Sequence, residues 1–354
     1  MIVNNISLIN KNEWNKNIPS NNIFIDYDFL LSYQNNNTNT EHIFVKDLNY
    51  QFYGHIFILK LHKANNYTSI FTVIFNIFLR LYPIKFFYLT NSFITNVPSF
   101  FTRGKFTLHN ILNEILTINK PLITIIPDFL FEDSNSIDID LDFIKTPVED
   151  EMKIFIDNNW SDFDDYVKSL RTKYRKRIKR TINDSKDIII KVLNEKELLQ
   201  NKNLLQELFN QVIERSSFSG PSFNISTLID LSKAYNEVSI YGYFLNDDIV
   251  AFSSEISFED KLYSYFVGFD YRENKKYSLY SKILCESISN AIRLKKKVII
   301  LGRTANEFKS NFGAIPSRSS VYIKVNNKFL AYFLNPRISK MSTRAWTQRR
   351  PFKK

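Results

Sequence analysis

The residues best placed to do chemistry lie in one stretch, Val298 to Ala314, which reads VIILGRTANEFKSNFGA. Val298–Leu301 predicts a short buried strand, Gly302-Arg303-Thr304 a polar break, and the remainder an amphipathic helix ending at Gly313. Thr304, with Glu307 three residues on, has the form of a capping box. A guanidinium just past a strand end and beside a helix start is suited to holding an anion, so Arg303 is a candidate phosphate or carboxylate contact; the alternative is a structural salt bridge. Glu255 is a second candidate. Strand alternation through Ile249–Ser257 puts Ser253, Glu255 and Ser257 on one face. A polar face in a central strand suggests a lined cavity, although the same residues on an edge would simply meet solvent.

Positive charge is concentrated in two places. Lys168–Arg180 reads KSLRTKYRKRIKR after an acidic, capped start, Ser161–Asp165. Acids in the first turn and bases in the last suit a helix dipole. Tyr166, Leu170, Tyr174 and Ile178 recur every four residues, predicting one helix with an apolar stripe. Arg171 and Arg175 lie off that stripe, on a surface that either faces a phosphate or carboxylate or is a solvated crossing between domains. The second concentration, Arg337–Lys354, has little apolar periodicity and is expected to be a mobile end, with nucleic acid or a membrane surface as conceivable contacts.

Composition narrows the function classes. The 354 residues are 44% hydrophobic and 15% aromatic, enough for two folded domains. Seven glycines, none clustered at a turn, argue against a P-loop or dinucleotide fold. The single cysteine, Cys285, excludes an intramolecular disulfide and reads as inert core; four scattered histidines predict no metal site. Met1–Asn10 lacks the basic start and apolar centre of a leader, so a cytoplasmic setting is expected. The net charge of +11 fits an anionic partner or an AT-rich coding bias. Ile70–Leu89 is apolar, but Arg80, Pro83 and Lys85 interrupt it, predicting a helix over 69–81 and a strand over 84–89, with no transmembrane segment.

The chain is expected to divide into a domain over 1–158, a second over 159–335 and a basic tail, 336–354. The first has strands at His42–Lys46, Phe52–Leu61, Ile84–Leu89, Leu122–Ile126 and Met152–Ile156, a helix at Leu108–Ile118, and loops at Asp47–Asn49 and Asp133–Asp142. The second has a strand at Ile188–Leu193, helices at 195–216 and 225–235, strands at Val238–Leu245, Ile249–Ser257 and Leu262–Gly268, and a helix at 279–294. Strands joined by hairpins and then by helices make each an α/β unit with a mixed α+β sheet.

The second half resembles the BioF2-like acetyltransferase domain of the GNAT superfamily, which is related to the FemAB-type proteins of peptidoglycan biosynthesis. The resemblance rests on Trp160 with Phe163-Asp164-Asp165-Tyr166, on Leu170–Arg175, on Gly268-Phe269-Asp270-Tyr271, and on Gly302–Ala305 through Glu307, Lys309 and Gly313-Ala314. It covers Trp160–Ala314; the first half is likened to it mainly by tandem position. The resemblance implies tandem GNAT-like domains, a splayed gap between two parallel strands that holds the donor, and an acyl group passed from acyl-CoA, such as acetyl-CoA, to a primary amine without metal. A Fem-type aminoacyltransferase using aminoacyl-tRNA on a cell-wall precursor is the alternative, and a non-catalytic nucleic-acid- or glycan-binding relative a further one.

Several roles follow only from that resemblance. The glycine-rich pyrophosphate loop of acetyl-CoA enzymes is replaced by YRENKKYSLYSKIL, Tyr271–Leu284, leaving Arg272, Lys275, Lys276 and Ser278 to hold a donor with Arg303. The slot of the GNAT tyrosine falls on Lys309, and Phe308-Lys309 matches a Fem-type Phe-Lys pair, implying a phosphate or oxyanion contact. Glu255 and Asp270 are the candidate general bases. Tyr265, Tyr277 and Tyr280 are candidate acceptor-pocket residues, and Ser216–Gly220 a loop shaping that pocket.

Overall fold

The computed structural model describes residues 1–16, 18, 22–48, 50–60, 69–97, 99–102, 108–132, 142–216 and 220–353. The chain forms two compact units. One is Met1–Glu149 with Phe218–Thr227 and Ser319–Arg344; the other is Asp150–Ser217 with Leu228–Arg318 and Ala345–Lys354. The expected boundary at 158 and the separate tail over 336–354 therefore differ from the observed division. Parts of the expected loops, Asn49, Asp133–Leu141 and Ser217–Ser219, lie outside the described residues.

The first unit begins with β1 (Ile2–Val3), α1 (Lys11–Asn15), α2 (Tyr27–Asn36), β2 (Thr40–Lys46), β3 (Tyr50–Ile58), α3 (Ser69–Leu81), β4 (Lys85–Tyr88), β5 (Phe100–Thr102), α4 (Leu108–Asn119), β6 (Ile123–Pro127) and α5 (Phe129–Glu132). The chain leaves it along β7 (Ile144–Phe155). It builds the second unit from α6 (Phe163–Ser169), α7 (Thr172–Asp184), β8 (Ile189–Val192), α8 (Glu195–Ile213), α9 (Ser226–Ala234), β9 (Val238–Leu245), β10 (Asp248–Phe258), β11 (Lys261–Phe269), α10 (Tyr271–Tyr277), α11 (Leu279–Arg293), β12 (Val298–Ile300) and α12 (Asn306–Ser310). It returns through β13 (Ile315–Val325) and α13 (Lys328–Ile338).

In the first unit the strands run β1-β2-β3-β4-β6-β13, with β5 also on β3. Only β4 and β6 are parallel. Ile43, Val45, Phe52, Ile56 and Phe87 pack with Leu112 and Ile115 of α4 on one face. Phe44 and Tyr53 pack with Trp14 and Leu30 of α1 and α2 on the other. Burial on both faces is why β2 and β3 read as nearly continuous apolar runs.

In the second unit the order is β7-β12-β11-β10-β9-β8, and only β11 and β12 are parallel. Leu170, Ile178, Leu262, Leu284, Ile288 and Ile299 form its main core. Gly268 lets α8 lie against β11, because a Cβ there would stand 2.6 Å from the Phe209 nitrogen and 2.7 Å from the Leu208 carbonyl carbon.

Three local expectations are corrected. The single basic helix is two: Leu170 is extended at ψ 145° and ends α6, and its backbone bridges Phe352. The stripe spacing was legible because it persists across the break. The final helix is only Asn306–Ser310, and no capping box forms; Ala305 sits at its start in the left-handed region without a side-chain cap. The tail is anchored: Arg349 N donates to Ser310 Oγ at 3.0 Å, and Phe352 packs against Trp160 and Tyr166. Gly313, at φ +95°, leaves room for the Phe352 ring, which would otherwise be 2.3 Å from a Cβ. Two aromatics at wide spacing hold an otherwise polar segment, a pattern with no periodicity to reveal it.

Candidate active site in the second unit

The two parallel strands of the second unit part company. Lys261, Leu262 and Tyr263 of β11 pair with Val298, Ile299 and Ile300 of β12, and there the pairing ends. β11 runs on from Ser264 to Phe269, while the chain after Ile300 turns away. The result is a gap that is closed near Ser264 and opens toward Phe269. β11 also carries an extra residue against β10, since Ser253 faces Val267 while Glu255 faces Ser264. Ser254 Oγ stitches this irregularity by bonding both the nitrogen and the oxygen of Phe266, each at 2.9 Å. Such bulges re-aim side chains beside sites.

Helices follow each strand and flank the mouth. Tyr280, in the first turn of α11, stacks on Phe308 of α12 with centroids 5.2 Å apart. Phe308 is exposed, and burial raises the Tyr280 phenol above its usual range. Two sequence candidates are thus brought together at the open end.

Lys309 belongs to the same turn but acts differently. It is 4% exposed, and its ammonium donates to the carbonyls of Leu301, Gly302 and Arg303 at 2.8, 3.3 and 2.9 Å. These bonds hold a backbone in which Gly302, Thr304 and Ala305 all have positive φ, at 68°, 72° and 52°. Such geometry is costly for non-glycine residues and persists only where surroundings enforce it. Lys309 therefore shapes the strand-to-helix turn that opens the gap. Arg303, half-buried in that turn, has its carbonyl held by Lys309.

At the closed end lies a buried polar cluster. Glu255 is 2% exposed. Asn290 Nδ2 donates to its Oε2 at 3.0 Å, and Oε1 has no hydrogen-bond partner within bonding geometry. Ser287 Oγ bonds Ser264 Oγ at 3.3 Å, and Arg293 donates to Asn290 Oδ1 at 3.0 Å. Burial pushes the Glu255 carboxyl up to about 7, against the smaller lowering effects of Ser287 and Asn290. The cluster sits seven to ten residues along α11 from Tyr280, roughly 10–15 Å at helical rise. Ser253 and Glu255 of the polar face are buried and Ser257 is half-buried, with α11 bonded to Glu255.

The expected donor-binding residues lie on α10 and at its junction with α11. In place of a glycine loop stands α10, whose first-turn amides are already taken by Asp270: its Oδ1 accepts from Arg272 and Glu273 nitrogens at 2.7 and 3.0 Å. Asp270 is thus a helix cap. Ser278, left-handed at φ +53°, joins α10 to α11 and donates to Asp184 Oδ2 at 3.2 Å. Arg272, Lys275 and Lys276 are exposed on α10, with Lys276 over the Tyr277 ring at 4.7 Å. Tyr265 lies beside Phe266, which packs on Phe209 of α8.

On the basic element, Arg171 caps nothing with its side chain; its Nε donates to the Phe352 oxygen at 2.9 Å. Arg175 is half-buried, and Lys173, Lys176, Arg177, Lys179 and Arg180 of α7 are exposed, Arg180 beside Asp184 at 3.5 Å. Cys285 is buried, which raises its thiol to about 12.

Sequence reading missed a second buried polar group, in the first unit. Two histidines that look scattered are register partners, His42 opposite His55. The Tyr53 hydroxyl joins them, 2.7 Å from His42 Nδ1 and 3.1 Å from His55 Nδ1, and His55 Nε2 reaches Ser92 Oγ at 2.6 Å. Burial lowers His42 to about 4 and His55 well below its ordinary value. The hairpin register was the available signal. Among the described residues no three His, Cys, Asp or Glu side chains gather to hold a metal.

No family model matches this sequence, and no curated protein matches it. Solved structures do match. FemX superposes with a TM-score of 0.51 at 10% identity, over 92% of this chain and 98% of its own. L-PGS from Bacillus licheniformis superposes at 0.50 with 10% identity, over 88% and 93%. A conserved protein of unknown function from Bacteroides thetaiotaomicron VPI-5482 gives 0.52 with 12% identity, over 88% and 95%. At such identities the likeness is one of fold. The chain has a mixed α/β fold of the kind seen in FemX.

Proposed function

We propose that the second unit is a group-transfer enzyme in which an acyl group, delivered into the gap between β11 and β12, passes to a primary amine. The observation that carries this reading is the parting of the parallel strands with a buried, incompletely bonded carboxylate, Glu255, at its closed end. A carboxyl near 7 is poised to take a proton at neutral pH. In the reaction the amine nitrogen attacks the ester carbonyl. The C–N bond forms, the ester C–O bond breaks, and the ammonium proton passes through Glu255 to the leaving hydroxyl. Tyr280 and Phe308 would position the donor at the mouth, and Lys309 would keep the mouth open.

Aminoacyl-tRNA is the donor this reading favours. Asp270 occupies the first-turn amides of α10 that a pyrophosphate would use, whereas the exposed cations of α7 suit a polyanionic backbone. The test is binding of aminoacyl-tRNA and of acetyl-CoA to the same preparation, followed by transfer of labelled amino acid to a panel of primary amines. Salt-sensitive tRNA binding, weakened in a Lys173→Ala/Lys176→Ala/Arg177→Ala variant, together with transfer lost in Glu255→Gln, is the expected result. Saturable acetyl-CoA binding without tRNA binding would reassign the donor. Absence of transfer from either donor would leave the chain a non-catalytic relative.

A further inference from the structure

The first unit carries a helix that is turned inside out. An ordinary surface helix buries its apolar stripe and shows its polar face. In α3 the buried positions are Thr72 and Leu79, on one side, while Ile70, Val73, Ile74, Ile77, Phe78 and Leu81 face outward. Ile70, Ile74 and Leu81 are 72%, 61% and 70% exposed. At 100° per residue these six, with Phe71 and Tyr82, span about half of the helix circumference. A contiguous apolar face of this kind marks an interaction surface.

Charge indicates which surface. No Asp or Glu occurs between Asp47 and Glu114, whereas Lys60, Lys63, Arg80, Lys85, Arg103 and Lys105 all do. Arg80 borders the apolar arc and is exposed. α13, in the same unit, repeats the pattern: Phe329 and Tyr332 are 72% and 78% exposed between Lys328 and Arg337, and no acidic residue follows Glu307. Lys85 is paired with Glu41 at 2.5 Å, so the exposed cations that flank outward apolar side chains are Arg80 on α3 and Lys328 and Arg337 on α13, an arrangement that complements an anionic lipid surface. A nucleic acid fits less well, because the aliphatic residues that dominate the face give bases nothing to stack on. Thirteen residues reach about 20 Å, short of the roughly 30 Å hydrocarbon core, and among the described residues no helix is long and apolar enough to cross a membrane.

We propose that the first unit docks on an anionic membrane surface through the outward apolar face of α3, which lies in the interface without spanning it. The test is co-sedimentation of the full chain with phosphatidylcholine vesicles, with and without phosphatidylglycerol. Binding is expected on the anionic vesicles and about tenfold weaker on neutral ones. An Ile74→Asp/Ile77→Asp variant is expected to lose at least about tenfold in anionic-vesicle binding with an unchanged melting temperature, because both positions are exposed. A separate Lys328→Ala/Arg337→Ala variant, outside the apolar face, checks the electrostatic contribution by a smaller loss. Wild-type protein that ignores both vesicle types overturns the proposal, as does anionic-vesicle binding that survives the two aspartates. If ultracentrifugation instead shows a dimer that those aspartates dissociate, while vesicles go unbound, the face belongs to a second copy and the lipid assignment falls.

Discussion

Both units place two parallel strands side by side, yet only one of them separates those strands. In the first unit β4 ends where its pairing with β6 ends, at Tyr88 opposite Ile125, and Leu89 still donates to the Ile125 oxygen at 3.0 Å. In the second, β11 extends six residues past its last partner on β12. The units also bury different titratable groups. The first encloses two bases, His42 and His55; the second encloses the acids Glu151 and Glu255 and the cation Lys309. A shared strand order therefore does not imply a shared site. What makes the gap is a local device: a strained turn held by the Lys309 ammonium and a bulge held by the Ser254 hydroxyl.

The largest expected effect contrasts two strand glycines. Gly268→Ala should cost about 3 kcal/mol or more, since its Cβ would stand 2.6 and 2.7 Å from two backbone atoms of α8, whereas Gly54→Ala should cost less, about 1–2 kcal/mol, its one backbone contact being the Tyr88 carbonyl oxygen at 2.9 Å. Urea unfolding of both variants measures this, and equal losses would remove the claim that helix α8 sits unusually close.

The buried groups predict pH effects of opposite sign. His42 in the folded chain lies below its unfolded value of 6.5, so the unfolded state binds more protons between the two. Stability is full above about 6.5 and falls on the way to about 4, by on the order of 3 kcal/mol. Glu255 lies above its unfolded value, so its contribution is full below 4.5 and is lost as pH rises through about 7. Glu255→Gln should flatten the second dependence and leave the first, while removing transfer. A pH–stability curve unchanged by Glu255→Gln would contradict this division.

Lys309→Met should cost about 2 kcal/mol by leaving three carbonyls without their charged donor, and should lower transfer with it. Should transfer fall while melting stays constant, the ammonium contacts substrate rather than shaping the turn. The smallest stability change is expected for Phe308→Leu, under about 1 kcal/mol because the ring is exposed. Its transfer rate should nevertheless drop about tenfold, as loss of positioning predicts.

How much was legible can be seen residue by residue. The strand at Val298, the helix over 279–293 and the meander of β9, β10 and β11 followed from periodicity and turn residues, which are local properties of the chain. The α/β fold class with a mixed sheet rested on that order of elements. Polar alternation put Ser253, Glu255 and Ser257 on one face, a property of the strand itself; that Ser253 and Glu255 are buried, Ser257 half-buried and Asn290 of α11 bonded to Glu255 was set by packing.

Tertiary structure decided the rest. Whether Lys309 meets a substrate or three carbonyls depends on the path of the turn before it. Whether Asp270 acts as a base or caps a helix depends on α10, which the absence of glycine permitted but did not specify. His42 and His55 are thirteen positions apart in sequence and adjacent only through hairpin register. The tail looked free because two aromatics, Trp346 and Phe352, give no period; their anchorage exists only once Trp160, Tyr166 and Gly313 are brought together. Sequence determines which residues favour helix, strand or turn, since those preferences act over a few residues. Which side chains share a low-dielectric interior, and so which are acids, bases or staples, is set by contacts between segments far apart in the chain.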